Sequence, residues 1–404
     1  MCMESLYDVA IVGAGASGLL CAVECARVGK KTILLEKDVM PARKILVTGN
    51  GRCNLTNRYV SPTCYHADPK LIESVLKHFS LDDCLHYFEN LGILLTEQEQ
   101  GRFFPATGKA TAVADALKAA LKETEAELLC GQKVTCVKRI KNDFTLTTQQ
   151  GLTIHAKNVV LACGSCAYPQ VTGTNAGYEL AQMLGHTIIP PLPVLSGLCL
   201  KETALTRLSG IKCQVYTTAH TSPVTHTQGE LIFTNYGING PAALNVSQAI
   251  SRSLKNGPVK IEINFLPQLE NPQEFLQARL KKFSTRKPKD FFAGIIHESI
   301  ANLLIDFTGL RKQIPVGQQN MTRAFQTLLS WPITVTALRP WKEAMVAAGG
   351  VKTREINYNT FESLLCPGLY ITGELLDVDG KSGGLNLHFA WASGFMAAQA
   401  IKEK

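Results

Sequence analysis

The pattern of apolar and polar positions near the N-terminal end predicts a strand, a helix and a second strand. Residues 9–12 form a short apolar run, residues 19–28 have the composition of a helix, and residues 31–36 form a second apolar run that ends in Glu36. Strands that alternate with helices are typical of a parallel sheet covered by helices. We therefore predict that the chain opens with an α/β domain.

The same alternation continues to about residue 190. The pattern predicts helices over residues 67–90, 111–122 and 173–184, and a two-stranded hairpin over residues 133–154 that leads to a return strand at Val159. Three prolines, at positions 190, 191 and 193, then interrupt the pattern, which indicates a domain boundary.

A region of different character follows this boundary. Residues 194–265 consist of short Val, Ile and Thr stretches between turn residues, which favours a small β-barrel or sandwich, and residues 273–328 have a mostly helical pattern. The β pattern resumes near Thr334 and leads back to the first domain. We therefore predict an α/β domain formed by residues 1–190 and 340–404, and an inserted, β-rich substrate or cap domain with a helical appendage over residues 191–339.

Composition limits the class of protein. The 404 residues are 46% hydrophobic and 18% charged, which is enough for two or three folded cores. No uncharged apolar run reaches about 18 residues, so we expect no membrane partner. The N-terminal end lacks a basic region and enters the first strand directly, so we do not interpret it as an export signal. The 13 cysteines are scattered and odd in number, which favours reduced thiols and a cytoplasmic location.

The net charge of +8 favours anionic ligands. The most basic stretch, residues 281–289, has few aromatic residues between its cations. We therefore favour a solvated loop there, with an RNA-binding patch as the alternative, and expect a small-molecule substrate in preference to nucleic acid. Neither the oligomeric state nor a metal site is predicted.

Three glycines between the first strand and the first helix carry the clearest chemistry. Gly13, Gly15 and Gly18 have the G-x-G-x-x-G spacing, which permits a tight turn, close approach of a pyrophosphate and close helix packing. The pyrophosphate would then lie at the helix N-terminus. Glu36 follows roughly twenty residues later, where a carboxylate accepts hydrogen bonds from an adenosine ribose. This context predicts a dinucleotide site without a 2′-phosphate, because two anions would repel.

A second glycine-rich loop spans residues 41–57. Gly49 and Gly51 allow close approach of the backbone to a ligand, and Arg43, Lys44 and Arg52 supply positive charge. Cys53 follows Arg52 directly, and we favour a packed structural cysteine over a reactive thiol.

This loop also carries a family resemblance. Its residues Arg43-Lys44, Thr48-Gly49 and Gly51-Arg52-Cys53-Asn54 resemble the signature of the YhiN/BaiN-like flavoproteins, also described as aminoacetone-oxidase-like or NAD(P)/FAD-dependent oxidoreductases. The segments over residues 101–105, 229–241 and 367–380 are similar to that family too. The resemblance implies a two-dinucleotide-binding-type, Rossmann-like FAD fold with an inserted domain and non-covalent FAD. It implies no particular substrate.

The C-terminal segment completes the predicted FAD site. Asp377 or Asp379 is placed to accept hydrogen bonds from a ribityl chain, and Gly383 and Gly384 would let backbone N–H groups at a helix start approach the flavin ring. The full predicted FAD-binding set is Gly13, Gly15, Ala16, Ser17, Gly18, Glu36, Lys37, Arg43, Lys44, Thr48, Gly49, Gly51, Arg52, Cys53, Asn54, Val134, Gly164, Gly373, Glu374, Asp377, Asp379, Gly383, Gly384, Leu385 and Asn386.

Two cysteines follow the return strand. Cys163 stands where related flavoproteins usually have threonine, and with Cys166 it forms a C-x-x-C spacing. Such a spacing supports a dithiol couple, but we favour two small buried residues because no thioredoxin-like context follows.

For catalysis the predicted residues are His388, Arg102 and Tyr236, with Tyr168, Asn235 and Asn239 as further polar candidates for a substrate site between the two domains. His388 is interpreted either as a proton donor beside the flavin or as a histidine at a helix start that faces solvent or core. The alternative roles of Arg102 are FAD binding and an ion pair with an acidic residue. The alternative role of Tyr236 and Asn239 is to stabilise a turn.

These features predict an FAD-dependent oxidoreductase. We expect NAD(P)H to act as a transient reductant, because no second G-x-G-x-x-G is present, and a small or amphipathic organic molecule to act as the acceptor, with an activated C=C bond as one candidate. The alternatives are an oxidase of an amine or alcohol that uses O₂, an RNA-acting flavoprotein and a redox-sensing flavoprotein.

Overall fold

The computed structural model describes residues 6–404, which fall into two compact units. The first unit runs to Leu192 and resumes at Val346, and the second comprises Pro193–Met345. The sequence-based boundaries, after residues 190 and 339, lie slightly earlier in the chain.

The first unit contains both helices and strands. Up to residue 194 they are β1 (Leu6–Val12), α1 (Ala16–Arg27), β2 (Thr32–Glu36), α2 (Arg43–Val47), β3 (Thr56–Asn57), β4 (Tyr65–His66), α3 (Pro69–His78), α4 (Leu81–Asn90), β5 (Leu95–Gln98), β6 (Arg102–Pro105), α5 (Ala110–Lys122), β7 (Glu127–Cys130), β8 (Val134–Ile140), β9 (Asp143–Thr148), β10 (Thr153–Leu161), α6 (Ala176–Met183) and β11 (Ile188–Val194).

The remaining elements belong to the inserted unit and then to the returning chain. They are β12 (Leu198–Leu200), β13 (Lys212–Ala219), β14 (Thr225–Thr234), β15 (Gly237–Asn239), α7 (Pro241–Ser253), β16 (Val259–Asn264), α8 (Pro272–Lys282), α9 (Pro288–Phe292), α10 (Glu298–Thr308), α11 (Thr322–Leu329), β17 (Trp331–Leu338), β18 (Val346–Val351), β19 (Leu369–Ile371), β20 (Asp379–Gly380) and α12 (Leu385–Lys402).

A seven-stranded sheet organises the first unit, with β7, β2, β1 and β10 in parallel order and β9 and β8 added antiparallel. The long strand β10 also pairs in parallel with β19 through Val159 to Leu161. The central parallel strands are largely apolar because helices cover the sheet. This sheet confirms the predicted Rossmann-type α/β fold.

Two helices pack at the centre of this unit. Helix α1 follows the glycine turn, and α12 is buried along most of its length, as expected for a helix that is apolar all round. The predicted single helix over residues 67–90 is instead two helices, α3 and α4. Ser80 and Asp83 form a capping box that starts α4, so the earlier helix ends before it.

A closed antiparallel barrel forms the β-rich part of the inserted unit. Its strand order is β12-β15-β14-β13-β16-β17. Alternate side chains of β13, such as Val215, Thr217 and Ala219, face a buried core. Helices α8 to α11 pack with the barrel in one hydrophobic cluster. Among the residues that the structure describes, no helix is long and apolar enough to cross a membrane.

Candidate cofactor site

The turn between β1 and α1 has the geometry of a ligand cradle. Gly13 has a φ of +106°, and a Cβ on it would lie 2.5 Å from the carbonyl oxygen of Ala162. A Cβ on Gly18 would lie 1.9 Å from the carbonyl oxygen of Gly13. A Cβ on Gly15, in contrast, would meet no protein atom within 4 Å. The fold itself thus requires Gly13 and Gly18, whereas Gly15 leaves open the space at the helix N-terminus that a pyrophosphate needs.

Glu36 lies beside this turn at the end of β2. Its Oε2 accepts a hydrogen bond from the N–H of Ala14 at 2.8 Å, and its Oε1 accepts one from the N–H of Asp38 at 2.9 Å. Asp38 forms ion pairs with Lys37 at 2.9 Å and with Arg43 at 3.2 Å. The predicted cations Lys37 and Arg43 therefore share Asp38 as an acidic partner, next to Glu36.

The loop after α2 has an unusual backbone. Gly49, Asn50, Gly51 and Cys53 all have a positive φ, between 56° and 79°. The carbonyl oxygen of Thr48 holds the loop together by accepting from the N–H groups of three residues, including Cys53 at 3.0 Å. Left-handed conformations of residues with side chains cost about 1–3 kcal/mol and cluster at ligand sites. The loop is therefore shaped for close backbone approach.

Cys53 itself is structural. Its side chain is fully buried, and this burial raises the pKa of the thiol to about 12. A thiol that stays protonated at neutral pH is a poor nucleophile. The geometry supports the packed interpretation of Cys53.

The cations Lys44 and Arg52 have partners within the protein. Lys44 forms an ion pair with Glu374, and Glu374 also accepts hydrogen bonds from the hydroxyl of Ser165 at 2.7 Å and from the N–H of Ala347 at 3.1 Å. Arg52 donates to Gln98 at 2.6 Å, and its guanidinium lies 4.3 Å from the centre of the Phe104 ring. Lys44 therefore connects the second glycine-rich loop to the C-terminal segment.

The two glycine-rich ends of the chain lie against each other. Gly373 has a φ of +66°, and a Cβ there would lie 2.7 Å from the hydroxyl oxygen of Ser17. The N–H of Gly373 donates to the hydroxyl of Ser393 at 2.9 Å. A Cβ on Gly394 would lie 2.3 Å from the carbonyl oxygen of Ser17, so α1 and α12 cross at small residues. One pocket can therefore use residues from both ends.

The start of α12 forms the other wall of the site. Asn386 accepts from the N–H of Gly380 and donates to its carbonyl oxygen, both at 2.8 Å, which fixes the connecting loop. A Cβ on Gly384 would lie 2.8 Å from Oδ1 of Asn54. That Oδ1 is buried and has no hydrogen-bond partner among the described residues. A donor on a bound ligand would satisfy this buried acceptor, so the position fits a polar cofactor.

The remaining members of the predicted set occupy mixed positions. Asp377 accepts from the N–H of Gly349 at 2.9 Å, and Asp379 is fully buried. Gly164 has open space where a Cβ would be. Ala16 begins α1, Val134 is buried at the start of β8, Leu385 is the buried first residue of α12, and Gly383 accepts a hydrogen bond from Asn57.

The C-x-x-C cysteines have the properties of packed thiols. Burial raises the pKa of Cys163 to about 12 and is the main cause of the raised pKa of Cys166. The Cys163 thiol lies 3.5 Å from the carbonyl oxygen of Val12. Both cysteines are half-buried, and thiolate chemistry needs a lowered pKa, so the geometry favours two small packed residues over a dithiol couple.

Of the two interpretations of His388, the structure favours a histidine that faces the core over a proton donor beside the flavin. The ring is fully buried, with Nδ1 2.8 Å from the hydroxyl of Thr56 and Nε2 3.2 Å from the carbonyl oxygen of Phe79. A carbonyl oxygen only accepts, so Nε2 donates and Nδ1 accepts from Thr56. Burial lowers the pKa of His388 to about 4, so the ring is neutral at pH 7. His388 fixes α12 to β3, and its one ring proton is already donated to the carbonyl oxygen of Phe79.

The other two predicted catalytic residues lie in different units. Arg102 donates from Nε to the carbonyl oxygen of Glu99 at 3.0 Å and pairs in register with Asn57 of β3. Tyr236 belongs to the inserted unit, where its hydroxyl accepts from Asn239 at 3.0 Å. Its ring lies 4.3 Å from the guanidinium carbon of Arg339.

Asn57 and Ser165 are site residues that sequence reasoning missed. Asn57 donates to the carbonyl oxygens of Gln100 and Gly383, both at 3.1 Å, and so joins the Arg102 strand to the α12 loop. Its position in the polar loop over residues 41–57 could have indicated Asn57 as a site residue. Ser165 contacts Glu374, and nothing local in the sequence indicates that contact.

The fold and this site define a flavin-dependent oxidoreductase with a Rossmann-type FAD-binding domain. A family model described as "HI0933-like protein Rossmann domain" matches residues 7–400. The chain belongs to this HI0933-like family, which confirms the resemblance and the FAD cofactor predicted from the sequence.

Two curated relatives match along the whole chain. The 3-dehydro-bile acid delta(4,6)-reductase of Clostridium scindens is 33% identical, over 98% of this chain and 99% of its own. A ribosomal RNA dihydrouridine synthase of Haemophilus influenzae is 31% identical, over 100% of both chains. Among solved structures, the 3-ketosteroid delta1-dehydrogenase of Sterolibacterium denitrificans superposes with a TM-score of 0.53 at 13% identity, over 98% of this chain and 99% of that one. That likeness shows a shared fold.

Proposed function

We propose that this flavoenzyme uses NAD(P)H to reduce a carbon–carbon double bond that is conjugated to a carbonyl group. The observation that carries the proposal is the chemistry shared by its two full-length relatives, whose names are a delta(4,6)-reductase of a 3-dehydro-bile acid and a dihydrouridine synthase. A ring double bond in conjugation with a 3-oxo group and the uracil double bond are both electron-poor alkenes. The same hydride transfer from a reduced flavin can reduce both double bonds.

The residues at the glycine turn fit the cofactor. The open space at Gly15 and the N-terminus of α1 would hold the pyrophosphate, and Glu36 would accept from the ribose. Bound FAD supplies the redox chemistry, because it takes two electrons from a nicotinamide and passes them to the acceptor. Asn54, with its unpaired buried oxygen, and the start of α12 would hold the ring end.

The polar residues at the ring end of the site would orient the reactants and would not transfer protons. His388 is neutral and occupied on both nitrogens, and Lys44 and Glu374 neutralise one another. Arg102, next to Asn57, is the cation that we propose to meet the phosphates of the nicotinamide or the carbonyl oxygen of the acceptor. A positive charge there would stabilise the enolate that forms when hydride adds to the alkene, and a proton from solvent would then complete the reduction.

A second candidate function is reduction of a base within RNA. Two observations favour it: the relative named as a ribosomal RNA dihydrouridine synthase, and the location of the excess positive charge, which lies entirely in residues 193–345. Both candidate functions share the reduction of a double bond. They differ in whether that double bond belongs to a small molecule or to a base within RNA.

Product analysis tests the proposal. Purified holoenzyme is incubated without oxygen with NADH or NADPH and either a 4-en-3-oxo steroid or a uridine-rich RNA, and the products are analysed by mass spectrometry. Gain of two hydrogen atoms by either acceptor, with matching NAD(P)H consumption, supports the proposal and identifies the carrier. NAD(P)H or amine oxidation that depends only on O₂ would instead show an oxidase.

A further inference from the structure

The net positive charge of this chain arises from one unit. Of the 41 lysines and arginines, 17 fall within residues 193–345, whereas only 9 of the 33 aspartates and glutamates do. This unit therefore carries the full net charge of +8, and the charges in the remainder of the chain balance. A charge asymmetry of this kind is typical of a binding surface for a polyanion.

The strongest concentration of this charge lies at the end of α8 and in the loop that follows. Lys281, Lys282, Arg286 and Lys287 are all exposed there, and we call these four residues the basic surface. Arg286 lies 3.8 Å, and Lys282 5.4 Å, from the centre of the Phe283 ring.

Arg279 adds a third cation around the same ring, at 5.0 Å from its centre. Burial and the nearby charge of Arg286 lower the pKa of Arg279. Like charges are thus held close together at Phe283. Holding them in place costs free energy unless an anion neutralises them.

Hydrogen bonds fix the loop that carries the basic surface. The N–H of Val316 donates to the carbonyl oxygen of Arg286, and the N–H of Gly317 donates to that of Ser284, both at 2.8 Å. Lys287 donates to the side chain of Gln313 at 2.6 Å. These contacts fix the backbone at Ser284 and Arg286 and the side chain of Lys287, and so preorganise part of the basic surface. Preorganisation lowers the entropy cost of binding.

We propose that the basic surface binds the phosphate backbone of single-stranded RNA. Arg286 is exposed and its guanidinium carbon lies 3.8 Å from the centre of the Phe283 ring, a combination that suits stacking of an unpaired base as well as phosphate contact. A membrane surface fits less well, because peripheral binding also needs several inserted apolar side chains, and Phe275 is the single large exposed hydrophobic of residues 272–290. The inference deepens the RNA candidate of the proposed function and rests on it.

A triple substitution tests the surface. Lys281, Lys282 and Lys287 are changed to glutamine, with Arg286 retained because it packs on Phe283. The matched control changes three exposed lysines of the first unit, Lys70, Lys77 and Lys122, to glutamine. Binding of a fluorescein-labelled 20-nucleotide oligouridylate is followed by anisotropy across a range of NaCl concentrations, and FAD content and thermal unfolding verify that each variant is folded.

For single strands, the slope of log affinity against log salt decreases by about 0.7 for each phosphate that the protein no longer neutralises. We expect this slope to decrease by about 2 in the triple variant, which should also bind roughly tenfold or more weakly at low salt, while the control binds like the wild type. An equal weakening in both variants, no binding by the wild type at low salt, or tighter binding to phosphatidylserine vesicles than to RNA would each overturn the proposal.

The flavin half-reaction separates this inference from the proposed function. Failure to bind RNA in a protein whose flavin NAD(P)H still reduces refutes the basic surface alone. Failure of NAD(P)H to reduce the flavin in a protein that still binds RNA through these lysines refutes the proposed reductase and leaves the surface in place.

Discussion

The glycine turn allows a substitution that separates FAD binding from folding. Gly15 has an ordinary φ of −85°, and a Cβ there would meet no protein atom within 4 Å. Alanine at this position loses a glycine N-cap but also restricts the unfolded chain, and these opposing effects are each about 1 kcal/mol or less. We therefore expect the apoprotein of Gly15→Ala to unfold with a free energy within about 1 kcal/mol of the wild type.

FAD binding should respond very differently. The added methyl group occupies the space through which a pyrophosphate reaches the N–H groups at the start of α1. Hydrogen bonds to a charged group contribute about 1.5–3 kcal/mol each, so the loss of one such bond weakens FAD binding at least about tenfold. The dissociation constant of FAD for the apoprotein, measured by quenching of flavin fluorescence, is the readout.

Gly18→Ala is the matched control for this prediction. Its Cβ would lie 1.9 Å from the carbonyl oxygen of Gly13, so the apoprotein itself should lose about 1–3 kcal/mol of stability. The free energies of unfolding of the two apoproteins are compared by chemical denaturation. Unchanged FAD affinity in Gly15→Ala, or an apoprotein of this variant as unstable as that of Gly18→Ala, would refute the assignment of the open space to the pyrophosphate.

Three further predictions concern the polar and thiol groups of the site. Because burial lowers the pKa of His388 from 6.5 to about 4, the wild type should lose stability as the pH falls from about 6.5 towards 4, by up to about 1.4 kcal/mol per pH unit. Denaturation at several pH values should show a weaker pH dependence of stability in His388→Gln. Loss of flavin reduction in that folded, FAD-loaded variant would revive the proton-donor role. The double variant of Cys163→Ser and Cys166→Ser should keep wild-type flavin reduction by stopped flow, and a folded, FAD-loaded double variant that cannot transfer electrons would restore the dithiol hypothesis. Asn54→Ala should weaken FAD binding but leave the stability of the apoprotein within about 1 kcal/mol of the wild type, because the buried Oδ1 that it removes has no protein partner. An unchanged FAD affinity in a titration of the apoprotein would contradict a ligand contact at Asn54.

The parts of the fold predicted from sequence are those encoded by short local patterns. The spacing of Gly13, Gly15 and Gly18 and the position of Glu36 after β2 define a strand–turn–helix–strand unit within about thirty residues. The helix break at Ser80 was missed, although its signal is local: a serine followed three residues later by Asp83 is a capping pattern.

Long-range packing accounts for what the sequence could not predict. The role of His388 depends on Thr56 and Phe79, which are more than 300 positions away. The barrel closes by pairing β12 with β17, whose positions only the three-dimensional structure relates. Likewise, the cations around Phe283 become a fixed surface only through the backbone of residues 316 and 317.

The most direct test of the proposed reductase is anaerobic stopped-flow absorbance near 450 nm, with the holoenzyme mixed separately with NADH and NADPH. The proposal predicts rapid loss of the oxidised flavin band with at least one of the two, followed by its return when an electron-poor alkene is added in the absence of oxygen. A flavin that neither nicotinamide bleaches would contradict the proposal and direct the search to amine or alcohol donors.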